Sequence, residues 1–185
     1  HKLHFYVSSP ILETFRTKDE KFRKVIYQSV KAAKSDLCIL LQGESGTGKD
    51  YMARAIHQES ERRKHPFVAI NCATLPRELI SAELFGYAPG AFTGANRNGN
   101  PGKIESANGG TLFLDEIGEM PLDLQAVLLR ALEEKQVTRL GSTVPVPVNV
   151  RFIAATCKNL QELVRKGEFR EDLYYRLSVV TLQLP

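Results

Sequence analysis

The chain has little cysteine, no long apolar run and no strong excess of either charge. Three cysteines in 185 residues are odd in number and widely spaced, which excludes a disulfide framework. Cys38, Cys72 and Cys157 each lie in an apolar run, so they read as reduced core thiols of a cytosolic protein, and a zinc site is not expected. No stretch of 18 apolar residues occurs, which removes a membrane-spanning helix from consideration. His1, Lys2, Leu3 and His4 lack the basic start, apolar middle and small-residue end of a signal peptide. The expectation is a soluble, cytoplasmic protein with no membrane partner. Lys and Arg number 25 against 21 Asp and Glu, a net +4 spread along the chain. The one short basic cluster, residues 62–64, reads as a solvated helix end and not as a nucleic-acid patch. There is no internal repeat and no low-complexity tract.

What is present is an ordinary globular composition, 43% hydrophobic and 25% charged. A chain of this length buries roughly 70% of its unfolded surface, enough for a core without staples. Residues 1–16 show no clear period and carry Ser8, Ser9 and Pro10, as a linker or the tail of a preceding domain would. Residues 17–185 form the main domain. Thr17 and Glu20 fit a capping box before Phe22, Val25, Ile26, Ser29, Val30 and Ala33 at helical spacing. Short apolar runs at 37–41, 67–70, 110–114, 151–155 and 179–182 predict five buried strands of a parallel sheet. Met52, Ala55 and Ile56 mark a helix after the first strand. Leu124, Val127, Leu128, Ala131 and Leu132 mark another after Pro121. Strands alternating with helices give an α/β fold. Residues 86–102 stand apart, with five glycines, two prolines and no periodicity. Loops of that length are usually functional or disordered.

Gly43, Glu44, Ser45, Gly46, Thr47, Gly48 and Lys49 follow an apolar strand and open a helix, the setting that a phosphate-binding loop needs. Glycines let backbone N–H groups approach phosphate oxygens, the helix start adds partial positive charge, and Lys49 adds a full one. Asp50 stands where most such loops carry Ser or Thr to ligate Mg²⁺. Its carboxylate could hold the metal through water, or it could repel the phosphates. Asp115 and Glu116 end the apolar run of Thr111, Leu112, Phe113 and Leu114, at the strand end where open α/β sheets bind ligands. Asp115 is placed to hold Mg²⁺ and Glu116 to polarise an attacking water. Together these residues predict an ATP site with Mg²⁺. Gly90, Ala91, Phe92, Thr93, Gly94 and Ala95 then form a glycine-flanked tip whose aromatic residue has no core to enter.

With these motifs in hand, residues 18–185 resemble the AAA+ domain of bacterial enhancer-binding proteins, the NtrC-like activators of sigma-54 RNA polymerase. The matching segments are GESGTGK at 43–49, the ELFG stretch at 83–86, GAFTGA at 90–95, and the run from Asn108 to Glu116 that reads as Walker B. In that family the residue after the lysine is commonly Glu, so Asp50 is a shortened version of it. The resemblance implies a P-loop AAA+ core with a five-stranded parallel sheet sandwiched by helices. It further implies that residues 90–95 touch the sigma factor, and that Asn71 restrains Glu116 until the nucleotide state changes. Arg170 and Arg176, in the segment from Phe169 to Leu177, match arginine fingers that reach a neighbour's γ-phosphate in a six- or seven-membered ring. The stretch from Arg151 to Thr156 looks like the sensor I strand. The family often has Asn or His where this chain has Cys157, a weak donor, so sensing is expected to fall to Thr156 or a neighbour. A helical lid and a helix-turn-helix domain, through which the family meets DNA, are not within residues 1–185.

The function implied is ATP-driven remodelling of the closed promoter complex. A nucleotide-gated regulatory or assembly module with little turnover is the alternative, suggested by Asp50, Cys157 and the lack of a lid. An unrelated AAA+ remodeller would share the ATPase parts but leave GAFTGA without an explanation.

Overall fold

A computed structural model describes Ser9, Ile11, Phe15 and residues 17–185; apart from those first three, the expected linker lies outside the described residues. The elements in chain order begin with α1 (Glu20–Ala33), β1 (Ile39–Gln42), α2 (Lys49–Glu59), β2 (Phe67–Asn71) and α3 (Arg77–Phe85). There follow β3 (Gly86–Tyr87), β4 (Asn100–Pro101), α4 (Lys103–Ser106), β5 (Thr111–Asp115) and a 3-10 turn (Ile117–Glu119). The chain continues through α5 (Leu122–Glu134), β6 (Gln136–Thr138), β7 (Pro145–Pro147) and β8 (Arg151–Thr156). It closes with α6 (Leu160–Arg165), α7 (Glu171–Leu177) and β9 (Val180–Gln183).

The main sheet runs β2-β5-β8-β1-β9, with every pairing parallel. All five expected strands are in it. Because side chains alternate faces along a strand, each strand feeds two cores. Leu40, Leu112, Leu114, Phe152 and Ala154 join Ile80, Leu84, Leu128, Leu173 and Leu177 of α3, α5 and α7. Ile39, Leu41, Phe113, Ile153 and Ala155 join Val25, Ile26, Met52 and Ile56 of α1 and α2, together with Ile11 and Leu182. The sheet is therefore covered on both faces. Among the described residues, no helix is long and apolar enough to cross a membrane.

Several expectations are corrected. Asp19, not Thr17, caps α1: its Oδ1 accepts from the Lys21 and Phe22 amides at 2.7 and 3.3 Å. Thr17 accepts instead from the Asp19 amide, at 3.0 Å. A carboxylate directly before the helix reaches the free N–H groups that a residue two places earlier cannot. Leu37 and Val179 lie just outside their strands, and Val127 faces solvent, its place on the buried side of α5 taken by Leu129 and Gln125. Of the three thiols only Cys72 is buried, with its pKa pushed up to about 12, chiefly by desolvation. Cys157 is exposed because β8 ends at Thr156.

The basic cluster is not simply solvated. Arg62 lies in the turns after α2 and is 12% exposed. Its guanidinium donates to both Asp36 oxygens at 2.9 Å, and to the carbonyls of Gly109, Gly110 and Asn149 at 3.1, 3.2 and 3.0 Å. One side chain thus ties the loops before β1, β5 and β8. Arg151, 1% exposed, donates to the carbonyls of Ala32 and Ala33 in the last turn of α1, the first of which also accepts from Ser35.

Residues 86–102 contain more structure than their composition suggests. Gly86 pairs with Pro101 and Tyr87 with Asn100, closing the base of the loop. Gly86 has φ 76°, and a Cβ there would collide with the backbone of Asn100 and Gly102, so only glycine fits. The β6–β7 hairpin, which the sequence reading missed, braces this base. Leu140 donates to the Gly86 carbonyl at 2.9 Å and accepts from the Ala88 amide at 2.8 Å.

Candidate nucleotide site

The phosphate loop leaves β1, the strand between β8 and β9, and enters α2 at Lys49. Gly46 and Gly48 have φ 84° and 82°, and nothing lies within 4 Å of where a Cβ would stand at either, so the loop forms an open cradle at the start of a helix. Thr47 braces it, its hydroxyl donating to the Glu44 carbonyl at 2.9 Å. Glu44, Ser45 and Asp50 face solvent. Lys49 is buried, and its Nζ donates to the Gly43 and Glu44 carbonyls at 2.9 and 2.8 Å. The loop therefore folds around its own lysine.

At the end of β5, the carboxylates of Asp115 and Glu116 meet this loop, with the Asn71 amide beside them. Asp115 accepts from Asn71 Nδ2 at 3.1 Å and from the Glu116 backbone at 3.0 Å. Burial pushes its carboxyl above the ordinary range, the neighbouring charges of Glu116 and Asp50 push the same way, and the Glu116 amide and Lys49 oppose them. Asn71 thus holds Asp115 and not Glu116, a correction with a simple cause. The register of β2 and β5 sets Asn71 opposite Asp115, one residue short of the glutamate.

Glu116 is in the left-handed region, φ 49° and ψ 49°. A non-glycine residue there carries strain, which concentrates at functional sites. The turn sends the side chain back toward the phosphate loop, with Oε1 4.0 Å from Lys49 Nζ. Oε2 accepts from the Cys157 backbone N–H at 3.2 Å. The Cys157 thiol is held above its ordinary pKa chiefly by its hydrogen bond to the same glutamate, with burial adding to it. Thr156 does not take this part. It is fully buried, and its hydroxyl accepts from the Lys158 amide at 3.0 Å.

Phe92 and Thr93 are exposed at the loop tip, between Gly90 at φ 72° and Gly94 at φ 90°. Ala91 and Ala95 close turns at the two sides, donating to the Ala88 and Phe92 carbonyls at 3.2 and 3.0 Å. Phe92 has more company than its sequence context promised. Its ring meets Tyr87 edge-on at 5.0 Å and lines an apolar groove with Leu79, Leu124 and Leu140.

The two arginines stand apart from this site. Arg170 caps α7 and donates to both Asp172 oxygens, at 3.0 and 2.7 Å. Arg176 lines a cleft with Asp36, Cys38 and Arg62, beside the segments that lead into β1, β8 and β9. Among the described residues, neither arginine side chain makes a hydrogen bond or ion pair with residues 43–49. Gln125, absent from the sequence reading, orients the first of them by accepting from the Arg170 amide at 2.8 Å while donating to the Met120 and Glu168 carbonyls. A glutamine on the apolar face of a helix, between Leu124 and Leu128, was a visible signal. Cys157 was marked by the residue that the related family often carries there, but its nearness to Glu116 depends on which strands are neighbours.

The residues fit a magnesium nucleotide: an open glycine cradle at a helix start, a buried ammonium at its floor, and a carboxylate pair at the adjacent strand end. The transcriptional activator AcoR of the acetoin dehydrogenase operon in Bacillus subtilis is 50% identical over 191 residues, covering 98% of this chain and 31% of AcoR. The DNA-binding transcriptional regulator NtrC of Azospirillum brasilense is 56% identical over 151 residues, covering 82% of this chain and 31% of NtrC. The chain thus spans about a third of the length of these relatives. The crystal structure of NtrX from Brucella abortus with ADP superposes with a TM-score of 0.85 at 38% identity, covering 92% of this chain and 37% of NtrX. NtrX has also been solved with ATP. The Sigma-54 interaction domain family matches residues 15–183, and the chain belongs to that family, the AAA+ P-loop NTPase domain of sigma-54-dependent transcriptional activators.

Proposed function

We propose that the chain is the Mg²⁺-dependent ATPase of such an activator. It hydrolyses ATP to ADP and phosphate as a homo-oligomeric ring, and uses residues 90–95 to remodel the closed promoter complex of sigma-54 RNA polymerase. The observation that carries this reading is the convergence of Lys49, Asp115 and Glu116 at one end of the sheet, in a chain that lifts Phe92 and Thr93 on a closed hairpin.

Residues 43–49 bind the phosphates through backbone N–H groups, and Lys49 turns from the Gly43 and Glu44 carbonyls to the outer phosphate oxygens. Asp115 holds the metal, with Asp50 contributing through water, while the Asn71 amide fixes Asp115. Bound Mg²⁺ neutralises phosphate charge. Glu116 orients the attacking water and accepts its proton. Arg170 and Arg176 are exposed, which suits action on a neighbour's γ-phosphate. Phe92 supplies the apolar contact to the sigma factor, and Thr93 the geometry or a polar contact.

The protein mixed with sigma-54 and an ADP–metal fluoride complex is expected to give a shifted band in a native gel. Thr93→Ala should lose the band while ATP hydrolysis stays largely intact. Loss of nucleotide binding in Thr93→Ala would count against the loop assignment. Nucleotide binding by the wild type with no band would favour a nucleotide-gated regulatory module.

A further inference from the structure

Gln125 lies in the first turn of α5 and is fully buried. A side-chain amide with no access to water must find both an acceptor and a donor inside the fold. Its Nε2 donates to the Met120 carbonyl at 2.8 Å and to the Glu168 carbonyl at 3.2 Å, while its Oε1 accepts from the Arg170 N–H at 2.8 Å. Met120 closes the turn that follows Glu116, where the Glu119 and Met120 amides donate to the Glu116 and Ile117 carbonyls at 3.0 and 3.1 Å. Glu168 and Arg170 belong to the segment between α6 and α7. One side chain therefore spans from the turn behind the acid pair to the residue that caps α7.

The Arg170 guanidinium is tied to the start of its own helix, donating to both Asp172 oxygens at 3.0 and 2.7 Å. It goes where the backbone at 170 goes. The Arg170 N–H precedes the first helical residue, Glu171, so α7 offers it no acceptor, and Gln125 supplies one. Phe169 and Leu173 on either side are buried in the core that α5 and α7 share. Apolar contact has no direction, however, and a hydrogen bond does, so Gln125 is what sets the orientation of the peptide at 170.

We propose that Gln125 is a positioning residue for Arg170, fixing the backbone from which the guanidinium is presented to the γ-phosphate held by a neighbouring copy. The proposal rests on the reading of Arg170 as an arginine that acts across a subunit boundary. Gln125 then serves the next site in the ring and not the site of its own subunit.

Gln125→Met keeps the length of the side chain and removes all three hydrogen bonds. It is expected to lower kcat about tenfold or more, since a shift of about 1 Å in a reacting group can cost about 100-fold, with KM for ATP within about twofold. Arg170→Ala should lower kcat about 10³-fold, and the two changes together should cost no more than Arg170→Ala alone. Mixing separates this role from support of the fold. Glu116→Gln has an inactive site and a sound arginine, whereas Gln125→Met has a sound site and a displaced arginine. In an equal mixture about one site in four joins the two sound halves, so roughly a quarter of the wild-type rate should return from two variants that are each slow alone. No gain on mixing, or a further loss when Gln125→Met is added to Arg170→Ala, would overturn the proposal.

Amide hydrogen exchange followed by NMR reads the hold without turnover. The Arg170 N–H should exchange about tenfold or more faster in Gln125→Met, while the Tyr174 N–H, bonded to the Arg170 carbonyl at 3.0 Å, keeps its wild-type rate. An unchanged Arg170 N–H overturns the proposal, and so does equal acceleration of both, which would mean that α7 itself is lost. A wild type without turnover, or an Arg170→Ala that keeps the wild-type rate, overturns the reading of Arg170 and leaves the hold standing when its N–H responds.

Discussion

Asn71 and Asp115 face each other across the parallel strands β2 and β5, and the asparagine Nδ2 donates to Asp115 Oδ2 at 3.1 Å. Burial favours the protonated form of Asp115, whereas a donor aimed at the carboxylate favours the charged form that a metal needs. Asn71→Ala is therefore expected to weaken the Mg²⁺-dependent part of nucleotide binding about tenfold, as loss of an outer hydrogen bond to a metal ligand does elsewhere. Titration calorimetry with and without Mg²⁺ checks it. An equal loss in both conditions would show that Asn71 acts on the loop and not through Asp115.

The base of the 90–95 loop depends on Gly86. Gly86→Ala places a side chain at φ 76° against the backbone of Asn100 and Gly102. The expected cost is roughly 2 kcal/mol, within the range for a non-glycine residue forced into left-handed geometry. Urea unfolding reads the stability, and the native gel with sigma-54 should show a weakened complex while nucleotide affinity stays within about twofold, since the change lies away from residues 43–49.

Arg62 is a structural staple hidden in a basic cluster. Arg62→Ala removes one donor from each of the Gly109, Gly110 and Asn149 carbonyls, the last two of which keep a backbone donor, and breaks the pair with Asp36; a loss of roughly 2–3 kcal/mol in urea unfolding is expected. Arg62→Lys should recover little, because an ammonium cannot fork between Asp36 and three carbonyls. The hydrogen bond from Arg62 holds the Asp36 carboxyl below its ordinary 3.8. That contribution to stability is complete above pH 3.8 and is lost as pH falls through the lower folded value, so acid unfolding should begin at higher pH in Arg62→Ala.

His57 gives a second pH dependence. It is buried on α2, its Nδ1 is 2.9 Å from Thr111 Oγ1, and desolvation lowers its pKa below 6.5. The unfolded chain therefore takes up a proton before the folded one does. Stability should be full above pH 6.5 and should decline as pH falls below it, until the folded value is reached. Thermal unfolding at pH 7.5 and 5.5 should show that decline in the wild type, and a smaller one in His57→Gln. Identical declines would remove His57 as the cause.

What could be read without the fold was whatever depends on neighbours in sequence. Residues 43–49 carry their own geometry, because two glycines and a helix start need only each other to form a phosphate cradle. The five strands were readable as apolar runs, and Asp115 and Glu116 as acids at the end of one of them. Gly90 and Gly94 marked the loop tip in the same local way. Strand ends shifted by a residue or two at Leu37 and Val179, since the sheet edge and not the apolar run sets where pairing stops.

The sequence by itself therefore determined the layer order, the phosphate loop and the identity of the acid pair. Tertiary structure alone decided which groups hold those acids. Whether Asn71 meets Asp115 or Glu116 turns on a one-residue register between strands separated by more than 30 residues of chain. That Cys157, and not Thr156, reaches Glu116 follows from β5 and β8 being neighbours, with Leu114 opposite Ala154. Arg62, Arg151 and Gln125 were passed over or read as ordinary polar positions for the same reason. The backbone carbonyls they satisfy come from distant segments, and a side chain's partners across a sheet are a property of its strand order, which no local pattern of residues encodes.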